Sequence, residues 1–403
     1  MGYRLAIVVP RYGPEVNGGI ETHAREFATR LASVMDVTVL TTTALDYRTW
    51  ADHFPAGQSH EDGVRILRFA VPVPRDERAF DALSAQVLND PARSADDEAT
   101  WMNAQGPVSP ALEQHLAEHG TTYDGILFMP YLYATTARGL PLVEERSVLM
   151  TAMHDEPPLR LRLFDDLVRR APRLVVNTDE ELGLIRRRFN VDPAKCHVVG
   201  AGIDPPPPTD PGAFAGEWGI ARPYVVSVGR VDPSKGIADL LAGHRLYRSR
   251  NPDGADLVLV GRAVMDLPAE SWLHVTGFLD ETAKHQAIAG AAALATASPY
   301  ESLSLVLLEA WSHQRPVIAT AHSEVMASRV RRSGGGVLFT DATEYAGAVE
   351  LLTTRPPLAW GLGRAGWRFS LDHAWPAVLD RLIDALPGAR EAVGPLLAGP
   401  RGG

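Results

Sequence analysis

Two doubly wound α/β domains in tandem, each built on a mostly parallel sheet, is the architecture this 403-residue sequence predicts. Three observations lead there. Short, nearly continuous apolar runs alternate with stretches of helical period along the chain. That pattern halts at a proline-rich break and then restarts. Finally, several of the runs end in loops rich in glycine and charge, where open α/β sheets bind their ligands.

The first half offers six strand-like runs: Tyr3–Pro10, Asp36–Thr42, Val64–Ala70, Asp124–Pro130, Val148–Met153 and Arg173–Thr178. Their unbroken apolar character fits strands buried on both faces rather than half-exposed ones. Helical spacing fills the gaps. In Ile20–Ala32, for instance, Ala24, Phe27, Ala28 and Leu31 recur at i, i+3, i+4 and i+7 and share one face. The segment Arg75–Gln105 mixes Arg, Asp and Glu around Trp101 and reads as an excursion from the sheet rather than core.

At Asp204–Pro211 (DPPPPTDP) four consecutive prolines exclude helix and central strand and make a semi-rigid extended connection. Beyond it the runs resume at Tyr224–Val231, Asp256–Arg262, Leu273–Leu279, Ala292–Ser298 and Pro316–Ala321. The resulting division is a first domain over 1–205, a second over 206–365 and a helical tail over 366–403. Trp360, Trp367 and Trp375 near that tail suit docking of helices onto a body. Ala398–Gly403 is glycine-rich and expected to fray.

Composition narrows the function classes. Lys+Arg number 39 against 49 Asp+Glu, a net charge of −10, which argues against generic nucleic-acid binding. One cysteine, Cys196, excludes an internal disulfide and a multi-thiolate metal centre. No apolar run reaches the roughly 18–20 residues of a membrane span. The apolar N-terminal strand lacks the basic region of a leader, so a cytoplasmic protein is expected. Only Lys195, Lys235 and Lys284 among the basic residues are lysines, and of these Lys235 lies in a loop suited to a phosphate.

Three strand-to-helix loops carry the chemistry. In the first, Pro10–Glu21, Asn17-Gly18-Gly19 allows positive φ and close approach of amides to an anion at a helix N-terminus. It lacks the G-x-G-x-x-G dinucleotide fingerprint, and the doublet equally suits a plain strand–helix turn. In the second, Val228–Gly236 (VGRVDPSKG), Gly229-Arg230 ends a strand and Ser234-Lys235-Gly236 opens a helix. A guanidinium fork and an ammonium converging on one loop can hold a diphosphate; capping by Asp232 or Ser234 beside solvated cations is the plainer alternative. In the third, Ser298–Glu309, a helix beginning near Ser302 would put Glu301 at its N-terminus and Glu309 two turns on, on the same side. Each carboxylate then faces sugar hydroxyls, although an acid at a helix start also simply complements the dipole. Glu309, set in an apolar run, needs a partner of some kind.

Taken together these loops resemble the retaining GT-B glycosyltransferases, specifically family 4, the glycosyl transferases group 1. The resemblance spans nearly the whole chain. It rests on the Gly18-Gly19 loop, the GRVDPSKG loop and the Glu301–Glu309 spacing in family order, on the strand-end His154 in TAMHDE, and on Gly200–Asp204 (GAGID), where Ala201 replaces the usual Asn. It implies two Rossmann-like doubly wound domains facing each other across a cleft, with the C-terminal helix docking back on the N-terminal domain. By the same resemblance the donor is a nucleotide-diphosphate sugar bound by the second domain. Arg230 and Lys235 would hold its diphosphate, Glu309 its ribose, Glu301 with the backbone of Ser302, Leu303 and Ser304 the transferred sugar, and Gly277, Phe278 and Leu279 the neighbourhood of the base. His154 would approach the sugar, with Gly229 beside the diphosphate and Gly18 and Gly19 on the phosphate or acceptor side. Asn17, Tyr47, Trp50 and Trp101 are candidates for the acceptor side.

The implied reaction moves a hexose to an acceptor hydroxyl on a glycan, lipid-linked or natural-product acceptor, with retention and without a cofactor or metal. No D-x-D triplet occurs in the sequence. A nucleotide-sugar epimerase and a non-catalytic nucleotide-sugar-binding protein on the same framework are the alternatives. Two carboxylates also admit a glycosidase pair, which the adjoining cationic loop disfavours. Peripheral contact with an anionic membrane is a separate expectation. Arg160, Arg162, Arg169 and Arg170, with Arg186–Arg188 nearby, interleave with Leu159, Leu161, Leu163, Phe164, Leu167 and Val168.

Overall fold

A computed structural model describes residues 2–16, 18–301 and 303–394. The chain forms two compact units, Met1–Gly200 with Val378–Gly403, and Ala201–Ala377. The first crossing between them lies at Gly200, ahead of the prolines. The second lies at Ala377, inside the helix Trp375–Ala385, beyond residue 365 where the sequence suggests a tail.

The first unit holds an eight-stranded sheet. Its strands are β1 (Arg4–Val8), β2 (Asp36–Thr42), β3 (Gly57–Glu61), β4 (Val64–Phe69), β5 (Gly125–Phe128), β6 (Ser147–Met150), β7 (Arg173–Val176) and β8 (Cys196–Val198). They lie in the order β3-β4-β2-β1-β5-β6-β7-β8. All neighbours are parallel except β3, which pairs antiparallel with β4 at the edge. β1 is central: Ile7 registers with Val39 on one side and Leu127 on the other. Its Leu5, Ala6, Ile7 and Val8 are fully buried, as a strand covered on both faces requires. The helix Gly19–Leu31 packs beside the neighbouring β2 with the forecast face, and Ala24, Phe27, Ala28 and Leu31 are all buried.

The second unit repeats the arrangement with six parallel strands: β9 (Tyr224–Val228), β10 (Asp256–Val260), β11 (Leu273–Gly277), β12 (Ala293–Thr296), β13 (Val317–Thr320) and β14 (Gly336–Phe339), ordered β11-β10-β9-β12-β13-β14. β9 and β12 are neighbours, so the loops that leave them, Gly229–Gly236 and Ala297–Ser304, emerge side by side. This is where the strand order reverses, the usual ligand position in such sheets.

Several expectations need correction. Arg75–Gln105 is no excursion: it forms the helices Glu77–Asn89 and Ala95–Gln105, and Val87, Trp101 and Met102 join the main core of the first unit. Strands β3, β8 and β14 escape the apolar-run reading. β3 (GQSHE) is polar and largely exposed, yet its hairpin turn Asp62-Gly63, with φ of 50° and 79°, is a recognisable signal. No described helix is long and apolar enough to cross a membrane. The apolar residues interleaved with the arginines face inward, with Leu159, Leu161, Phe164, Leu167 and Val168 buried in the core. The arginines around them are matched by acids: Arg188 meets Asp165 at 2.7 Å, and both Arg169 and Arg170 meet Asp166.

Candidate functional site

In the second unit the loops after β9 and β12 enclose a cavity of about 160 Å³, bordered by Gly229, Arg230, Lys235, Glu301, Ser304 and Val306. Local chemistry explains how they come so close. Gly229, at φ 140°, lets the chain leave β9, and a Cβ on Gly261 would fall 1.9 Å from the Gly229 carbonyl oxygen. Asp232 caps the short turn Pro233–Lys235, accepting from the Ser234 amide at 2.8 Å and from the Ser234 hydroxyl. Burial works to raise the Asp232 pKa, but the Ser234 hydrogen bonds and the nearby Arg230 charge outweigh it and hold the carboxyl below its ordinary value. Gly236 then starts the helix Ile237–Arg250 in the left-handed region, at φ 67°. A Cβ there would lie 2.3 Å from the Ala297 carbonyl oxygen, so only glycine lets the two loops touch.

Charge in the cavity is paired and poised. Lys235 Nζ donates to Glu301 Oε1 at 2.8 Å, with both side chains partly exposed. Arg230 is 67% exposed and held loosely by Asp232 at 3.3 Å. The helix here begins at Leu305, not near Ser302. Ser304, in the left-handed region at φ 46°, is its N-cap, and its buried hydroxyl meets no hydrogen-bond partner among the described residues. Glu301 therefore stands four residues before the helix, on a loop that carries it over Lys235. Ser302 lies outside the described residues, and Leu303 is partly buried on the same loop.

Glu309 sits on the fifth residue of that helix and accepts from Lys284 Nζ at 3.0 Å. Lys284 also meets Glu281 at 2.8 Å. Burial pulls the Lys284 pKa down, yet the two carboxylates win and raise it. The sequence assigns Lys284 no role; the demand of Glu309 for a partner is the signal that points to it. Next to this pair, His285 Nδ1 and His313 Nε2 are 2.8 Å apart, and burial together with the His285 and Arg315 charges lowers His313 to about 4. At the end of β11, Gly277 takes φ 72°, Phe278 projects into solvent at 86% exposure, and Leu279 packs on the core.

The first unit holds the remaining candidates. His154 follows β6 and is partly exposed. Its loop is anchored by a carboxylate that the sequence reading passes over. Glu181 is fully buried and accepts from the Thr151 hydroxyl, the Met153 amide and the Asn177 amide, tying the ends of β6 and β7 together. Burial raises the Glu181 pKa against those hydrogen bonds. Between Thr151 and Met153, Ala152 is forced to φ 49°.

Gly18 and Gly19 differ from expectation. Gly18 is extended at φ 172° and Gly19 is helical, so neither uses the left-handed region. Gly18 is small for another reason: a Cβ would fall 2.1 Å from Glu21 Oε2, within the buried Arg11–Glu21 ion pair. Asn17 lies outside the described residues. Trp50 and Trp101 are each 1% exposed and spend their indole N–H groups on the Gln105 carbonyl and the Ser84 hydroxyl, so neither offers a face to an acceptor. Tyr47 remains half exposed, with the Arg11 guanidinium 5.4 Å from its ring.

With this geometry in view, residues 222–355 match the family model described as glycosyl transferases group 1. Among curated proteins, the D-inositol 3-phosphate glycosyltransferase of Mycobacteroides abscessus is 28% identical over 270 residues, covering 61% of this chain and 60% of that protein. The chain thus spans about three fifths of the length of the curated relatives it matches. Among solved structures, sucrose-phosphate synthase of Thermosynechococcus elongatus superposes with a TM-score of 0.69 at 19% identity, covering 94% of this chain and 97% of that one. HepE of Anabaena, solved with UDP and glucose, gives 0.67 at 15% identity, covering 95% and 98%.

Proposed function

We propose that this chain, whose residues 222–355 match the glycosyl transferases group 1 and whose fold is that of the GT-B glycosyltransferases, transfers a hexose from a nucleoside diphosphate sugar to an acceptor hydroxyl. The observation that carries the reading is the Lys235–Glu301 pair at 2.8 Å in a cavity that also takes in Arg230 and the start of the helix Leu305–Ser312. A cation and a carboxylate that hold each other can exchange partners. The donor diphosphate takes Lys235 and Arg230, and Glu301 turns to hydroxyls of the sugar.

Breaking the anomeric C–O bond leaves positive charge on the sugar ring and sends the electron pair to the diphosphate oxygen. Lys235, Arg230 and the helix N-terminus stabilise that leaving charge without requiring a metal. Glu309, oriented by Lys284, is assigned to the ribose hydroxyls, Gly277–Leu279 to the base, and His154, on its motif alone, to the transferred sugar. Retention follows from the family reading: the acceptor oxygen attacks from the face the diphosphate leaves, and a diphosphate oxygen takes its proton.

The test is a donor and acceptor screen on the full chain. UDP-, GDP-, ADP- and dTDP-hexoses are incubated alone and with D-inositol 3-phosphate, the compound in the relatives' name, in the presence of a chelator. Acceptor-dependent release of nucleoside diphosphate, with the α-anomer of the donor conserved in the product by NMR, is expected. A donor converted without any acceptor points to an epimerase and sinks the transferase reading.

A further inference from the structure

A second cavity of about 310 Å³ opens at the opposite end of the strands of the same sheet. It is framed by residues that precede strands, Pro223 before β9 and Pro316 before β13, and by Leu352, Ala359 and Trp360 from the C-terminal helices. The donor cavity lies at the strands' C-terminal ends, so roughly 17 Å of five-residue strand separates the two. Its volume is near the lower bound of about 300–1,000 Å³ typical of small-molecule sites.

Two features set it apart from a packing defect. Arg315 enters its lining, yet among the described residues the guanidinium meets no carboxylate, and its buried Nε has no hydrogen-bond partner. Burial lowers its pKa, with only the Tyr224 hydroxyl opposing. A half-buried cation left without an anion is costly, and most arginines in such places are paired. Trp360 meanwhile stands 58% exposed at the rim. It is fixed there because its helix, Pro356–Leu371, presses onto the Gln314 turn. A Cβ on Gly363, one turn after Trp360, would fall 1.9 Å from the Gln314 carbonyl oxygen. The aromatic ring and the guanidinium are thus held at one opening by rigid elements.

We propose that this cavity binds a small organic monocarboxylate with a flat or aliphatic ring body. The carboxylate would pair with the Arg315 guanidinium, and the ring would lie among Trp360, Leu352, Pro223 and Pro316. Arg315 is the single charged residue of the lining, which favours a monoanion over a phosphate dianion.

Calorimetric titration of the full chain with benzoate and indole-3-acetate, using neutral indole and inorganic phosphate as comparators, tests this. Both carboxylates are expected to saturate one site at sub-millimolar to millimolar concentration and to raise the unfolding temperature, with phosphate showing no saturation. Arg315→Met should weaken the carboxylates by about tenfold or more while leaving indole unchanged. Arg315→Lys, which keeps the charge, should retain most of the affinity and serves if the Met variant folds poorly. Trp360→Ala should weaken indole-3-acetate and indole alike. UDP should displace none of the probes. No saturation by either carboxylate up to about 10 mM, undiminished binding in Arg315→Met, or displacement by UDP would each overturn the proposal.

Discussion

Lys235 and Glu301 form a pair whose value lies in being broken. Each side chain is partly exposed, so the pair contributes at most about 1 kcal/mol to folding. In the proposed transfer, the same ammonium would act at short range on the charge of the departing diphosphate. Lys235→Ala should therefore lower kcat by about 10²–10³-fold while the unfolding midpoint barely moves. Steady-state kinetics beside thermal unfolding check this, and an active Lys235→Ala enzyme would remove the residue from the reaction. Gly18 and Gly19, adjacent in sequence, should diverge in the opposite property. Gly18→Ala drives a methyl into the buried Arg11–Glu21 pair, at a cost of about 3–5 kcal/mol if the pair opens. At Gly19 a Cβ meets nothing within 4 Å and the position is helical, so Gly19→Ala should stabilise slightly, by about 0.5–1 kcal/mol. His244 adds a pH dependence. It is fully buried, hydrogen-bonded to the Ala255 carbonyl, and lowered by burial to about 4. The unfolded imidazole takes its proton near pH 6.5 and the folded one only near 4. Its contribution is therefore whole above pH 6.5 and drains away as pH falls toward 4, by about 3 kcal/mol in all. Denaturant unfolding at pH 7.5 and 4.5 should show that loss, and His244→Gln should flatten it.

At the scale of elements, function depends on loops that touch because glycine allows it. Gly236→Ala combines a left-handed φ of 67° with a methyl 2.3 Å from the Ala297 oxygen. It should cost about 1–3 kcal/mol and weaken donor binding together with stability, measurable by calorimetry with a nucleoside diphosphate. Much of this layer is legible in the sequence, since β9, β10, β12 and β13 are apolar runs and the loops after them carry the charges. What stays hidden is contact between elements. The extra turn before Leu305 depends on Ser304 adopting a left-handed conformation that its sequence neighbourhood does not announce. Lys284 becomes significant only when the helices Glu281–Gly290 and Leu305–Ser312 lie side by side. Trp50 and Trp101 look available in sequence because aromatic residues serve cores and ligands equally; burial alone separates the two uses.

Taken as a whole molecule, the chain returns to its first unit at the end. Val378, Leu382, Ile383 and Leu386 are buried; Arg381 donates to the Val199 carbonyl, Arg173 to that of Ala385, and Tyr3 to that of Pro387. Ending the chain after Ala377 should expose the apolar surface beneath these residues and lower the melting temperature of the first unit, while the second, Ala201–Ala377, keeps its own core. Differential scanning calorimetry of the truncated and full chains distinguishes this from a tail that contributes nothing. That return also sets an order of events during synthesis. The 177 residues from 201 to 377 emerge from the ribosome before the segment that completes the first unit. At about 5–20 residues per second the first 200 residues wait some 10–35 s without it. The second unit can therefore be finished first, although its genetic position is second.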